Sequence, residues 1–306
     1  MPDIRSTPDR LHPGAGSTVL VAGATGMLGL EVVRLLSERG HRVRTLSRDP
    51  ARAQALHGIA DEVVLGDATE PASLTRAFAG VDAVVSCLGA PMTVVPTGRS
   101  SFFQVDTVAN RNLITAAVGA GVARFVYVSI FLRPAWARSR YVLAHEEVVD
   151  ELRRSGLSFG VVRPTGMFPI FDQLVHMARR GLVWIPGDGR PATNPVHPAD
   201  VAEACLAALY RADEADISVG GPDTMTRQEI VDLAVATSGH AARVVHLPPP
   251  VLYALSAALR PVHPRTAEVL QFITQAFTHD FVAPATGRRH LRDHFAGVPE
   301  AALRRG

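Results

Sequence analysis

Cysteine is scarce: Cys87 and Cys205 are the two thiols in a chain of 306 residues. Two thiols make no disulfide framework, so a reducing compartment, the cytoplasm, is the expectation. A dominant sign of charge is missing too. Lys and Arg number 31 against 29 Asp and Glu, a formal net charge of +2. That near-balance lacks the clustered positive field a nucleic-acid partner needs. No apolar run approaches the roughly 18 residues that cross a bilayer, so no membrane partner is expected. What is present is an apolar fraction of 47%, which excludes wholesale disorder and collagen-like repeats. The length suggests about two domains, or one with a sizeable lobe. Met1 to Gly16 carries four charged side chains, three prolines and two glycines, and reads as a disordered leader rather than a signal peptide.

From Ser17 short β-rich runs alternate with helical patterns. Thr18 to Ala22 is an apolar run ending at glycine, the mark of a strand buried on both faces. Leu28, Val32, Leu35 and Leu36 follow at helical spacing, closed by Arg39 and Gly40. The alternation continues with strand 41–47, a short helix opening at Pro50, strand 62–65, helix 71–78 and strand 83–86. A long helix over 102–118, strand 124–129, helix 143–154 and strand 157–163 complete it. Such a series predicts an α/β fold, a Rossmann-type doubly wound parallel sheet. After Pro164 glycine and proline multiply, and helices are predicted over 199–210, 227–237, 251–259 and 266–277. The expected organisation is a leader over 1–16, a dinucleotide-binding domain over 17–164 and a smaller, mostly helical substrate lobe over 165–306. The boundary is soft, because such lobes return strands to the main sheet.

The most informative segment is Gly23-Ala-Thr25-Gly26-Met27-Leu28-Gly29. It follows a strand and opens an apolar-striped helix, the context a dinucleotide turn requires. Gly23 permits the sharp turn, Gly26 leaves room for a pyrophosphate, and Gly29 lets helix and strand pack closely. The helix start offers its amides and the positive end of its dipole to phosphate. Where NAD-binding chains carry an acid at the end of the second strand, this one reads Ser47-Arg48-Asp49. A guanidinium forks onto a 2′-phosphate that a carboxylate would repel, which favours NADP (NADPH). Asp49 takes the acid's place if the strand runs one residue longer.

With Gly66-Asp67-Ala68, Val128-Ser129, Tyr141 and Arg163-Pro164 following in order, the chain resembles the atypical short-chain dehydrogenase/reductases, specifically their NmrA-like branch, over about residues 17 to 210. The resemblance implies that Asp67 and Ala68 cap the adenine, that Cys87, Leu88 and Gly89 pass under the adenosine ribose, and that Pro164, Thr165 and Met167 line the nicotinamide. All fall at carboxyl ends of predicted strands, where open α/β sheets bind ligands. Cys87 reads equally well as a small buried hydrophobe.

In hydride-transferring members a tyrosine exchanges the substrate proton, a lysine four residues on depresses its pKa, and a serine polarises the carbonyl. Here Ser129 precedes Tyr141 by twelve residues, and the position four after Tyr141 is His145, one helical turn away on the same face. Free tyrosine titrates at about 10, and each unit of depression is worth about 1.4 kcal/mol. A neutral imidazole supplies little of that, so Tyr141 is a poorer base than the family norm but an adequate proton donor. His145 would hold Tyr141 or, instead, the ribose.

Other features are weaker. His197 precedes a helix and suits capping. The remaining histidines lack zinc spacing, and no metal is expected. Arg133, Arg138 and Arg140 form a basic loop, read as solvated rather than as a receptor for an anionic substrate. Phe131, Trp136, Met167 and Phe168 suit an apolar pocket, or simply a core. The favoured reading is an NADP(H)-dependent reductase of a small, largely apolar carbonyl or conjugated compound. The alternatives are a non-catalytic NmrA-like NADP sensor and an NAD(P)-dependent epimerase or dehydratase. Helices 102–118 and 143–154 are candidates for a homodimer bundle.

Overall fold

The computed structural model describes residues 14, 16–89, 107–132 and 139–299. Its centre is a seven-stranded sheet in the order β3-β2-β1-β4-β5-β6-β9, every pairing parallel. The strands are β1 (Thr18–Ala22), β2 (Arg42–Ser47), β3 (Glu62–Leu65), β4 (Ala83–Ser86), β5 (Arg124–Val128), β6 (Phe159–Pro164) and β9 (Ala215–Val219). β4, β5 and β6 are buried at every position. Continuous Val-rich runs suit strands covered on both faces, where no polar alternation is needed.

Five of the helices cover those faces. α1 (Met27–Glu38) and α7 (Pro198–Leu209) pack together on one side. There Leu28, Val32 and Leu36 meet Val201, Ala202 and Cys205 over the sheet. On the other side α3 (Leu74–Phe78), α4 (Val108–Ala120) and α5 (Arg140–Ser155) cover Leu20, Val84, Phe125 and Val161. α2 (Pro50–Ala53) is a single turn after β2. The expected start of α4 at Phe102 lies outside the described residues. α5 begins three residues before the predicted Leu143, so Tyr141 sits in its first turn rather than ahead of it.

Beyond β6 the chain builds a further core. It contains α6 (Phe168–Arg179), α8 (Arg227–Ser238), α9 (Pro249–Leu259), α10 (Pro264–Thr278) and α11 (Leu291–Ala296). β7 (Leu182–Pro186) pairs with β11 (Arg243–Leu247), and β8 (Ala192–Thr193) with β10 (Met225–Thr226). Phe168, Phe171, Val183, Ile230 and Phe295 fill its interior. The patterns over 227–237, 251–259 and 266–277 anticipated α8, α9 and α10, and that over 199–210 anticipated α7 on the main sheet. They missed α6, whose proline near the N-terminus is permitted in a first turn but reads as a breaker in a Gly/Pro-rich stretch. Between α7 and α8 the chain returns β9 to the main sheet beside β6, so the segment after Pro164 also supplies that sheet's edge strand.

Candidate functional site

The glycine turn is built as its spacing requires. Gly23 adopts φ +76°, and a Cβ there would lie 2.7 Å from the Cys87 carbonyl oxygen, so the turn and the end of β4 are pressed together. A Cβ on Gly29 would overlap the Gly23 carbonyl oxygen. Gly26 is the N-cap of α1, with no side-chain capping bond and no acid in the first turn. The first-turn amides and the positive end of the helix dipole therefore face outward unscreened. Beside them Thr25 is half-buried and Gly26 exposed, while Met27 is 46% exposed. Leu28 turns inward to the core. This cradle fits a dinucleotide pyrophosphate: it offers backbone donors and no side chain in the way.

Further along the carboxyl edge, β2 ends at Ser47, and Arg48 is exposed immediately after it. Asp49 does not stand in the acid's place. Its carboxylate caps α2, accepting from the Ala51 and Arg52 amides at 2.9 and 3.4 Å. Asp67 accepts from the amide and hydroxyl of Thr69, both at 2.8 Å. Burial works to raise its pKa, but the Thr69 bonds and the charge of Arg48 outweigh that and lower it. Ala68 is buried, and its carbonyl takes a bond from Asn112 at 3.0 Å. Cys87, Leu88 and Gly89 leave β4 under a clamp that the sequence reading missed. Asn110 accepts from Ser86 Oγ at 2.6 Å and donates to the Leu88 carbonyl at 3.3 Å. Although Cys87 keeps part of its surface in solvent, desolvation pushes its thiol up to about 12, so it is no nucleophile at neutral pH.

The other end of the edge gathers side chains. Tyr141 is half-buried between two rings, the His145 imidazole edge-on at 4.8 Å and Phe272 of α10 at 4.7 Å, measured between centroids. The helical spacing anticipated the first contact and not the second. Nor did it anticipate where the imidazole's hydrogen bond goes: His145 Nδ1 lies 2.6 Å from the hydroxyl of Tyr127, buried in β5. Burial, and then the charge of Arg163, lowers the His145 pKa to about 4, so the ring is neutral at neutral pH. Its Nε2 is buried without a hydrogen-bond partner among the described residues. Ser129, just past β5, receives a bond from Arg163 Nη1 at 3.2 Å.

Pro164 closes β6, and its carbonyl accepts from the Phe131 amide at 3.0 Å. Thr165 Oγ1 donates to the Asn194 carbonyl at 2.6 Å, which spends that hydroxyl on joining the lobe to the sheet. Met167 is the half-buried N-cap of α6. Of its two alternatives Phe168 takes the core: it is 1% exposed and packs against His197 and His294. His197 caps α7, accepting from the Ala199 amide at 3.1 Å. Arg140 opens α5 rather than lying in a loop, and it pairs with buried Glu268 at 3.2 Å while its side chain stays 60% exposed. Arg133, Trp136 and Arg138 lie outside the described residues. Among the described residues no cluster of three or more His, Cys, Asp or Glu could hold a metal, and no helix is long and apolar enough to cross a membrane.

Residues 23–212 match the model of a family described as NAD(P)H-binding. The chain is 30% identical over 267 residues to divinyl chlorophyllide a 8-vinyl-reductase of Zea mays, covering 81% of this chain and 66% of that protein. It is 28% identical over 238 residues to the photosystem II assembly factor Ycf39 of Synechocystis, covering 76% and 72%. The chain thus spans about two thirds to three quarters of these relatives' length. Among solved structures it is similar to gox2253, with a TM-score of 0.73, 22% identity and 94% and 98% of the two chains covered. It is also similar to the NADPH-dependent quinone oxidoreductase QOR2 of Escherichia coli, with a TM-score of 0.71, 20% identity and 91% and 98% covered. At these identities the two structures speak for the fold. They agree with the resemblance read from the motifs, and the family match spans the glycine turn, Tyr141 and β6: the chain belongs to the NAD(P)H-binding family.

Proposed function

We propose that the protein is an NADPH-dependent reductase of a small, largely apolar carbonyl or conjugated compound. The observation that carries this reading is the half-buried Tyr141 phenol, packed between Phe272 and an imidazole that stays neutral. A neutral imidazole brings no cation to the phenol, and the neutral phenol is the form that donates a proton to a developing oxyanion or enolate. The bound reduced nicotinamide would supply the hydride. Ser129 would hydrogen-bond the substrate oxygen, and His145 Nε2, buried and without a partner among the described residues, suits a cofactor ribose hydroxyl. The glycine turn would bind the pyrophosphate, with Asp67 and Ala68 at the adenine and Cys87, Leu88 and Gly89 beneath its ribose. Pro164, Thr165 and Met167 would back the nicotinamide. Arg48, exposed at the end of β2 while Asp49 caps a helix, supports NADPH over NADH. The segment after Pro164 would close the substrate side, as Phe272 does against Tyr141. The Zea mays relative is a vinyl reductase and the Escherichia coli neighbour a quinone oxidoreductase, both consistent with a conjugated acceptor.

The test is NADPH consumption across a panel of quinones, enones and aldehydes, with Tyr141→Phe alongside. Turnover is expected with the wild type and should fall by about 10²–10⁴ in the variant. A silent panel, or turnover indifferent to the phenol, overturns the proposal. The absence of a cation at position 145 favours one second reading, a nucleotide sensor without chemistry. Calorimetry separates the two, since a sensor discriminates NADP from NADPH while the panel stays silent.

A further inference from the structure

The structure assigns to Arg163 a positioning role for the candidate catalytic hydroxyl: its buried guanidinium fills a lone pair of Ser129 Oγ and leaves the Ser129 hydrogen to be donated to the substrate oxygen. This rests on the reductase reading above and concerns a residue that the reading does not use.

The Arg163 side chain is 4% exposed. Its Nε donates to Asp216 of β9 at 2.7 Å and its Nη1 to Glu146 of α5 at 2.6 Å. These two carboxylates offset the cost of burying a lone cation. They would suffice for a purely structural ion pair between strand, helix and edge strand. The guanidinium nevertheless reaches further, to Ser129 Oγ at 3.2 Å and the Ile130 carbonyl at 3.4 Å, and so fixes the segment that leaves β5.

The chemistry of that contact is one-way. A guanidinium carries five N–H donors and no acceptor, so it cannot take the hydrogen of Ser129. Among the described residues it is the sole hydrogen-bond partner of Ser129 Oγ, and the hydroxyl's own hydrogen is left for a third group. A hydroxyl that accepts from a cation is also polarised into a stronger donor. Charge developing on a substrate oxygen would then meet a preorganised donor backed by a positive charge. Neutral His145, where the resembling enzymes carry a lysine, does not supply that charge. Ser129 keeps its hydrogen throughout, and Tyr141 remains the proton donor.

The experiment is a double-mutant cycle of Arg163→Lys and Ser129→Ala on a panel compound turned over by the wild type. kcat and KM are read separately, with NADPH affinity by calorimetry. Lysine keeps a charge but cannot hold two carboxylates and a hydroxyl from one planar fork. Arg163→Lys should lower kcat by about ten- to a hundredfold, Ser129→Ala by a similar factor, with NADPH affinity moved less than about twofold. With Ser129 already replaced, Arg163→Lys should cost less than about twofold more. Equal losses with and without Ser129, or an unchanged kcat, overturn the assignment while the reductase reading stands. A wild type silent across the panel overturns the reading and this assignment with it. If Arg163→Lys does not fold, Asp216→Asn takes its place in the cycle, because that half-exposed carboxylate anchors Nε from the solvent side. A few-fold loss of kcat that vanishes in the Ser129→Ala background supports the role, and additive losses refute it.

Discussion

The two ends of the sheet's carboxyl edge are made in different ways. At the glycine turn the chain works with backbone: three glycines, an uncapped helix start and the end of β4, all but the last within seven consecutive residues. At the other end it works with side chains drawn from β5, β6, β9, α5 and α10, in two groups, Tyr127 with His145, Tyr141 and Phe272, and Ser129 with Arg163 and Asp216. A backbone cradle tolerates little substitution but depends only on local sequence. A side-chain cluster is tunable one member at a time, and no part of it stands alone.

The comparison breaks most easily at Gly29. Gly29→Val thrusts a side chain into the Gly23 carbonyl. It should weaken NADPH binding by at least about a hundredfold and lower unfolding free energy by about 1–3 kcal/mol. Calorimetry and urea unfolding check both, and retained affinity would mean that the cradle is not the phosphate site.

The next effect is at the other end. The folded His145 pKa of about 4 lies below the unfolded value of about 6.5. As pH falls through that window the unfolded chain takes up a proton that the buried ring refuses. Stability present above about pH 6.5 is therefore lost toward about pH 4, on the order of 3 kcal/mol. His145→Gln should flatten that part of the profile. The difference between the two profiles isolates His145 from His41 and His197, whose values burial also lowers.

Arg48→Ala sharpens the adenosine side. It should cost NADPH about ten- to a hundredfold in affinity and leave NADH unmoved. The smallest effect is at Asp49. Asp49→Ala should cost about 1 kcal/mol of stability as a lost helix cap without changing cofactor preference. A fall in NADH affinity there would instead mark its carboxylate as a ribose ligand.

The same contrast explains what could be read from sequence. β3 and β4 fall on their predicted bounds, because short buried runs between breakers leave little choice. The glycine turn was legible for the same local reason, and Tyr141 and His145 share a face because helical spacing fixes it. Phe272 comes to Tyr141 from 131 positions away, and Arg163 to Ser129 from 34. No periodicity reports such encounters, since they follow from the order of strands and the docking of the lobe. Asp49 was ambiguous for a related reason: an acid after a strand serves a ribose or a helix equally well until the length of β2 is known.

β9 has a consequence for how the protein comes into being. During synthesis β6 gains its outer neighbour only after residue 219 has left the ribosome, some fifty positions later. Until then the strand's rim is bare and Arg163 waits for Asp216. A nascent chain halted near residue 164 would thus present a sticky, half-zipped edge over a cation held by Glu146 alone, the kind of surface that invites chaperones or aggregation.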